Sequence, residues 1–333
     1  MATTLKNIAS ETGYSLSTVS RVLSNKISSN SASAKQIFKS ARELGYGRYR
    51  NAKPSTRRTV DIALITQHFS EEFYAYLYAG IDKNCTQNNT SISIHSIRYS
   101  DSINDQLSFL SHNHDGFILF LPTLDSDGYV SIKNHLPKYP IISIAPAFSP
   151  VFDTFTFDCY QGGSLAAQQL IQEGYKKFGL ITGPKTKWEA ALRKNGFVDT
   201  VNNANHKVTW KFNGDYSFEA GEKAFYAIKK TSNKEMGIFA SNDQMAVGFI
   251  HAALENNYKI PRDFAIIGYD NILFSKIFFP KLTTINTDVD KLSKEALDQI
   301  LRLIIEGNPS VSFPRKTLIP VTIKLRNTHQ IVR

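Results

Sequence analysis

Apolar side chains follow two rhythms along this chain, and the change between them divides it. In the first 46 residues the spacing is helical: Leu5, Ile8, Ala9 and Thr12 fall at i, i+3, i+4 and i+7, the stripe of a helix with one packed side. Gly13 ends that helix and Ser15 is placed to cap the next. At about 100° per residue, residues 16 to 24 put Leu16, Ser17, Ser20, Arg21 and Ser24 on one arc and Thr18, Val19, Val22 and Leu23 on the opposite arc. A third stripe, Ile37, Ala41 and Leu44, follows Ser33 and closes a three-helix unit. From Val60 onward the rhythm becomes short apolar runs alternating with amphipathic helices such as EFYAYLYAGIDKNCTQ and SLAAQQLIQEG. The strand candidates are 60–66, 91–97, 116–121, 140–145, 177–183, 237–241 and 264–270. This alternation predicts an α/β body of two parallel sheets covered by helices, with a ligand at the C-terminal ends of the strands, between two lobes.

The length of 333 residues suits two or three domains, and 42% hydrophobic residues can bury a sizeable core. Two cysteines, Cys85 and Cys159, exclude a disulfide framework. MATTLKNIASETG has no basic segment leading into an apolar one, and no apolar run approaches the ~18 residues of a membrane span. A cytoplasmic protein that does not enter a membrane is therefore expected.

Charge changes the picture of the head. Of a net +10, residues 1 to 60 carry a surplus of nine: eleven Lys and Arg against Glu11 and Glu43. A basic module on a near-neutral body is the footprint of polyanion binding. Two short helices joined by a glycine turn, the second presenting small hydroxyls and one arginine, match the helix-turn-helix arrangement. Small side chains let such a helix sink into a major groove. Serine hydroxyls reach phosphates or base edges, Arg21 can fork onto guanine O6 and N7, and Leu16 can meet a thymine methyl.

The string LKNIASETGYSLSTVSRVLSN resembles the head of the lactose/galactose repressor family, with Leu5, Ile8, Ala9, Gly13, Ser15, Thr18, Val19, Ser20, Arg21, Val22 and Leu23 in register. Asn7 stands where an aspartate is usual and Tyr14 where a small valine is usual. The resemblance implies that Leu16, Ser17 and Arg21 read bases, and that Thr4, Ser15, Ser20 and Ser24, with Asn25 beside them, hold DNA. The basic linker GRYRNAKPSTRRT, residues 47–59, falls where the family has a short hinge helix. Asn51 matches its asparagine, whereas Pro54 and the lack of a leucine break the rest of that pattern. Arg50 and Asn51 are the DNA contacts expected there.

The body carries further blocks similar to the family: FDCYQGGSLAAQQLIQEGYKKFGLITGP, ALRKNGF, FASNDQMAVG, and IIGYDNI followed by FPKLTTI. They imply the fold of periplasmic sugar-binding proteins, with two lobes, three crossovers and an effector in the cleft. The expected organisation is a head at 1–46, a linker at 47–59 and a core at 60–333. Within the core, an N-lobe takes about 60–157 plus 287–316 and a C-lobe about 158–286 plus 317–333. Hydroxyl-rich ligands need planar, bidentate partners, so Arg193, Asn242 and Asp270 are effector candidates. Phe157, Tyr216 and Phe73 (or Tyr74) would supply aromatic cover. Asp243 reads as a helix cap, and Ala145 stands where many members place an acidic or amide group.

Catalytic signals are weak: the nucleotide-binding, zinc-protease and nucleophile-elbow motifs do not occur, and no catalytic residue, metal or cofactor is assigned. His112 and His114 flank a loop without further metal ligands nearby in sequence. Asp158, Asp243 and Asp270 leave a carboxylate pair for glycoside hydrolysis open. The reading is a homodimeric, DNA-binding repressor of carbohydrate-use genes, with double-stranded operator DNA and a sugar or sugar phosphate as partners. The alternative is a carbohydrate-binding protein or glycoside-acting enzyme whose head is not a specific DNA reader. No leucine heptad follows VTIKLRNTHQIVR, so a tetramer through such a tail is not expected.

Overall fold

Thr4 and Asn7 close on each other at the start of the first helix, α1 (Leu5–Thr12). Asn7 Oδ1 accepts from the Thr4 backbone N–H at 2.7 Å and from Thr4 Oγ1 at 2.6 Å, so the asparagine still serves the helix start. The helix ends at Gly13, whose φ of 74° suits a residue without Cβ and whose N–H donates to Ala9 O at 3.0 Å. Ser15 Oγ then accepts from Thr18 N–H at 3.2 Å and caps α2 (Leu16–Leu23); α3 (Ala32–Glu43) completes the head. Ile8, Val19, Val22, Ala34, Ile37 and Ala41 form its buried core. Tyr14 packs on that core and donates to Gln36 Oε1 at 3.3 Å, so the large residue in the turn is absorbed as packing between the turn and α3. The computed structural model describes residues 4–23, 31–44, 46, 59–67, 72–97, 102–144, 149–230, 235–307 and 313–330.

The first lobe opens with β1 (Val60–Thr66), α4 (Glu72–Gln87), β2 (Thr90–Ser96), α5 (Ile103–Leu110), β3 (Gly116–Phe120), α6 (Ser126–His135), β4 (Ile141–Ser143) and β5 (Thr154–Phe157). The chain then builds the second lobe from α7 (Cys159–Gln172), β6 (Lys177–Thr182), α8 (Trp188–Asn203), β7 (Val208–Asn213), α9 (Phe218–Lys229), β8 (Met236–Ala240), α10 (Asp243–Glu255), β9 (Phe264–Asp270), α11 (Leu273–Ile277) and β10 (Thr283–Asn286). It returns through α12 (Val289–Glu306) to β11 (Lys316–Ile319), and ends with β12 (Thr322–Lys324). The two six-stranded sheets are ordered β11-β5-β4-β3-β1-β2 and β12-β10-β9-β8-β6-β7. Each repeats the same doubly wound order, with its first strand flanked by its second and third, which places a crevice at the strands' C-terminal ends.

Every strand run expected from the sequence is a strand, but β5, β7, β10, β11 and β12 carried too little signal. β5, β10 and β11 are four residues long and rich in threonine, and β7 lies at a sheet edge with alternating exposure. Lys316–Ile319 pairs residue by residue, in parallel, with Thr154–Phe157, while β12 runs antiparallel to β10. The third passage between lobes therefore lies between Ile319 and Thr322, not at the 316/317 boundary expected. One buried cluster runs from Ile62 and Leu64 through Phe155, Phe157 and Cys159 to Phe178 and Tyr269, so the two lobes share a core where the chain crosses.

In the second lobe, helices meet backbone to backbone. A Cβ on Gly163 of α7 would overlap Arg193 O, and one on Gly196 of α8 would overlap Tyr160 O. Gly221 and Gly248 play the same part between α9 and α10, against Met245 O and Phe218 O. Gly196→Ala is expected to cost about 1–3 kcal/mol by overpacking, read as a lower midpoint in urea unfolding, because backbone atoms cannot swing aside as a side chain would. An unchanged midpoint would mean that the helices are not in contact at this point.

Candidate functional site

The crevice between the lobes is a cleft enclosing about 650 Å³ of space, its open mouth included. Strand ends and helix starts deliver its residues. Phe120 and Pro122 come from the end of β3, Ile144 from just beyond β4, Thr156 and Phe157 from β5, and Phe73 and Tyr74 from α4. On the other side lie Lys187, Glu189 and Arg193 around the first turns of α8, Tyr216 before α9, Asn242 before α10 and Asp270 at the end of β9. Cys159 sits at the first crossover, its thiol pushed up by burial and so held protonated.

Arg193 is the centre of the polar side. It is 8% exposed, its Nη1 donates to Ser241 O at 2.6 Å, its Nη2 lies 3.4 Å from Asp270 Oδ1, and its guanidinium stacks 3.6 Å from the centroid of the Tyr269 ring. Burial opposes its charge, but Asp270 and then the neighbouring Tyr216 and Tyr269 outweigh burial and hold it above the ordinary arginine range. Its Nε is buried with no hydrogen-bond partner among the described residues, as are Tyr216 Oη and Glu189 Oε2.

Two of these residues have unusual backbones. Asp270 has φ 108° and Tyr216 φ 77°, in a region that side-chain-bearing residues enter at a cost of about 1–3 kcal/mol and that concentrates at functional sites. Thr287 Oγ1 donates to Asp270 O at 3.1 Å, and Asn242 Nδ2 to Tyr216 O at 2.9 Å, holding both in place. Asn242 is thus the cap of α10: its Oδ1 accepts from Met245 N–H at 3.0 Å while its side chain still lines the cleft. Asp243 is not the cap that sequence suggested. It lies fully buried, accepting from Ile272 N–H at 3.0 Å and Thr284 Oγ1 at 2.5 Å, and burial followed by repulsion from Asp270 pushes its carboxyl up.

The cleft thus gathers all six expected effector residues, Phe73, Phe157, Arg193, Tyr216, Asn242 and Asp270. It adds Lys187, Glu189, Cys159, Phe120 and Leu292, which the sequence reading passed over. Glu189 was within reach, since it precedes Arg193 by one helical turn. In the head, Ser15, Leu16, Ser17, Ser20 and Arg21 are all exposed on one side of α2, Leu16 at 44%, opposite buried Val19 and Val22. Ser15 Oγ is 2.9 Å from both Ser17 Oγ and Thr18 Oγ1, and Thr4 is exposed but tied to Asn7. Ser24, Asn25, Arg50, Asn51 and Ala145 lie outside the described residues. His114 is half-buried: its ring nitrogens meet Ser93 Oγ at 2.8 Å and Leu110 O at 2.9 Å. Among the described residues no three His, Cys, Asp or Glu are grouped to hold a metal ion, and no helix is long and apolar enough to cross a membrane.

Comparison with known proteins follows the same division. Residues 4–48 match the bacterial regulatory proteins of the lacI family, and residues 167–329 match a periplasmic binding protein-like domain. The chain is 27% identical over 323 residues to the transcriptional repressor PurR of Mannheimia succiniciproducens, covering 95% of each chain. It is 27% identical over 327 residues to the ribose operon repressor of Escherichia coli K12, covering 96% of this chain and 98% of that one. Its fold is similar to that of the lac repressor dimer solved with operator and the anti-inducer ONPF, at a TM-score of 0.72 and 22% identity over 99% of this chain and 100% of that one.

Removing Asp270 would leave the Arg193 charge buried beside an unfilled space. Asp270→Ala is therefore expected to destabilise the fold by about 3 kcal/mol, measured by urea unfolding. Combining Asp270→Leu with Arg193→Met should recover most of that loss. A double variant as unstable as the single one would show that the pair's charges are not what couples them.

Proposed function

The chain belongs to the lacI family of bacterial regulatory proteins, and from that premise we propose that it is a transcriptional repressor whose hold on operator DNA is set by a small ligand between its lobes. The observation that carries the reading is α2: a helix with its apolar side packed and a continuous exposed side of Ser15, Leu16, Ser17, Ser20 and Arg21, in a segment holding nine of the chain's ten net positive charges. Small side chains with one forked cation on a rigid helix fit a major groove. Residues 1–46 act as the head, 47–59 as the linker and 60–333 as the effector-binding core. The protein works in the cytoplasm as a homodimer, whose two-fold axis matches the symmetry of paired half-sites.

The ligand is a sugar or sugar derivative, with Arg193, Asp270, Asn242 and Tyr216 facing its hydroxyls and Phe73 and Phe157 covering its apolar parts. It acts by binding one closure of the lobes more tightly than the other, which shifts the DNA-bound population by that difference. Binding without turnover is favoured by the carboxylates first considered for hydrolysis, because each is committed. Asp158 caps α7 by accepting from Gln161 N–H at 2.9 Å, Asp243 serves Ile272 and Thr284, and Asp270 faces Arg193.

Duplexes selected by the protein from a random pool should contain a near-palindrome. On that sequence Arg21→Ala is expected to lose about 1–3 kcal/mol of affinity, the worth of a forked arginine–guanine contact, and to relax preference at the matching base pair. Equal binding of the variant and the parent in a gel-shift titration would remove α2 from the role of reader.

A further inference from the structure

One carboxylate of the cleft has no cation beside it among the described residues, and we propose that the ligand brings one: an amino sugar, held by its ammonium at Glu189 and by its hydroxyls at Arg193 and Tyr216. This rests on the reading of the cleft as the effector site and says which class of sugar fills it.

Glu189 stands in the first turn of α8 and lines the cleft, and its Oε2 is buried without a hydrogen-bond partner among the described residues. One helical turn separates it from Arg193, a spacing at which the two could pair. The guanidinium is committed elsewhere: Nη1 donates to Ser241 O at 2.6 Å and Nη2 faces Asp270 Oδ1 at 3.4 Å. The other cation lining the cleft, Lys187, holds its ammonium 5.2 Å from the centroid of the Tyr216 ring. Glu189 also acts inward. Burial pushes the Tyr216 hydroxyl and the Cys159 thiol up, and the nearby Glu189 charge adds to the rise in both.

A carboxylate oxygen out of water and without a donor is costly, and the chemistry around it selects what relieves that cost. A hydroxyl gives it one neutral hydrogen bond. An ammonium gives three donors and the opposite charge, and such bonds are about twice as strong. Phe73, Tyr74, Phe120 and Phe157 line the cleft as well, and their rings attract a cation where they would repel an anion. The other two orphaned groups ask for something else: Arg193 Nε donates and Tyr216 Oη donates or accepts, on side chains each more than nine-tenths buried. Hydroxyls satisfy both. A plain alkyl amine leaves Arg193 Nε open, and a neutral sugar leaves the Glu189 charge uncompensated. A ring carrying one ammonium and several hydroxyls closes all three.

Calorimetric titration of the full-length protein tests this with glucosamine, galactosamine, mannosamine and 6-amino-6-deoxyglucose at slightly acidic pH, where the amines are charged. Each is set beside its parent neutral sugar and its N-acetyl derivative, in which the same nitrogen carries no charge. For the amine that fits, binding should be at least about tenfold tighter than that of the parent sugar, a difference of about 1.4 kcal/mol, and acetylation should remove the gain. Glu189→Gln, which keeps an acceptor of the same shape without the charge, should bring the amine to within about threefold of its parent. A parent sugar or N-acetyl derivative binding as tightly as its amine, or a preference for the amine that survives Glu189→Gln, overturns the proposal and leaves the effector site standing. No binding by any of these compounds at millimolar concentration overturns both.

Discussion

A charged pair taken out of water organises the second lobe. Arg193 and Asp270 are both largely shielded from solvent, 3.4 Å apart, and such a pair is held only where surrounding groups replace the lost water. The replacements here are Ser241 O on one guanidinium nitrogen and the Tyr269 ring beneath its plane. Each comes from a different element, so the ends of β8 and β9 and the first turns of α8 must be fixed relative to one another. The bare backbone contact at Gly163 and Gly196 brings α8 close enough, and the left-handed backbone at Asp270 turns the carboxylate off the strand toward the cleft. The pair contributes less to stability than to position: it presents one fixed polar wall to whatever enters.

That wall faces a lobe of different character, and the contrast gives the fold its means of control. The lobes are joined by three passages of chain, from β5 to α7, from β10 to α12 and from β11 to β12, and by one buried cluster around Phe157, Cys159 and Tyr269; in the proposed function they tilt against each other without parting. A ligand touching both walls stabilises one tilt over another. The head precedes β1 of the first lobe along the chain, so in the proposed homodimer the tilt selected in the cleft would set how the two heads are spaced. No contact between ligand and DNA is needed, only a difference in ligand affinity between the two arrangements.

Much of this was legible in the residues, and the exceptions have physical reasons. The head was readable because helical spacing, a glycine stop and a serine cap all agree over twenty residues. The long buried strands were readable as apolar runs. Four-residue strands such as β5 and β11 were not, because their pairing partners lie far away in sequence and supply most of what makes them strands. Asp243 was misread for the same reason: beside Asn242 it looks like a cap, yet the groups that bind it, Ile272 N–H and Thr284 Oγ1, come from segments a helix and a strand later. Arg193 and Asp270 were found because each sits in a motif, whereas Tyr216 was placed by the family resemblance and not by a block of its own. The aromatic wall was missed as a wall because α4 and the ends of β3, β4 and β5 each give one or two of its residues.

The central claim is that cleft and head are thermodynamically linked, and one reciprocal measurement tests it most directly. Affinity for the selected duplex is measured with and without the tightest-binding sugar at saturation, and affinity for that sugar with and without the duplex. The account predicts that each ligand changes the other's affinity by the same factor, in the range of about 5- to 150-fold. DNA affinity that stays constant while the cleft is filled would contradict it.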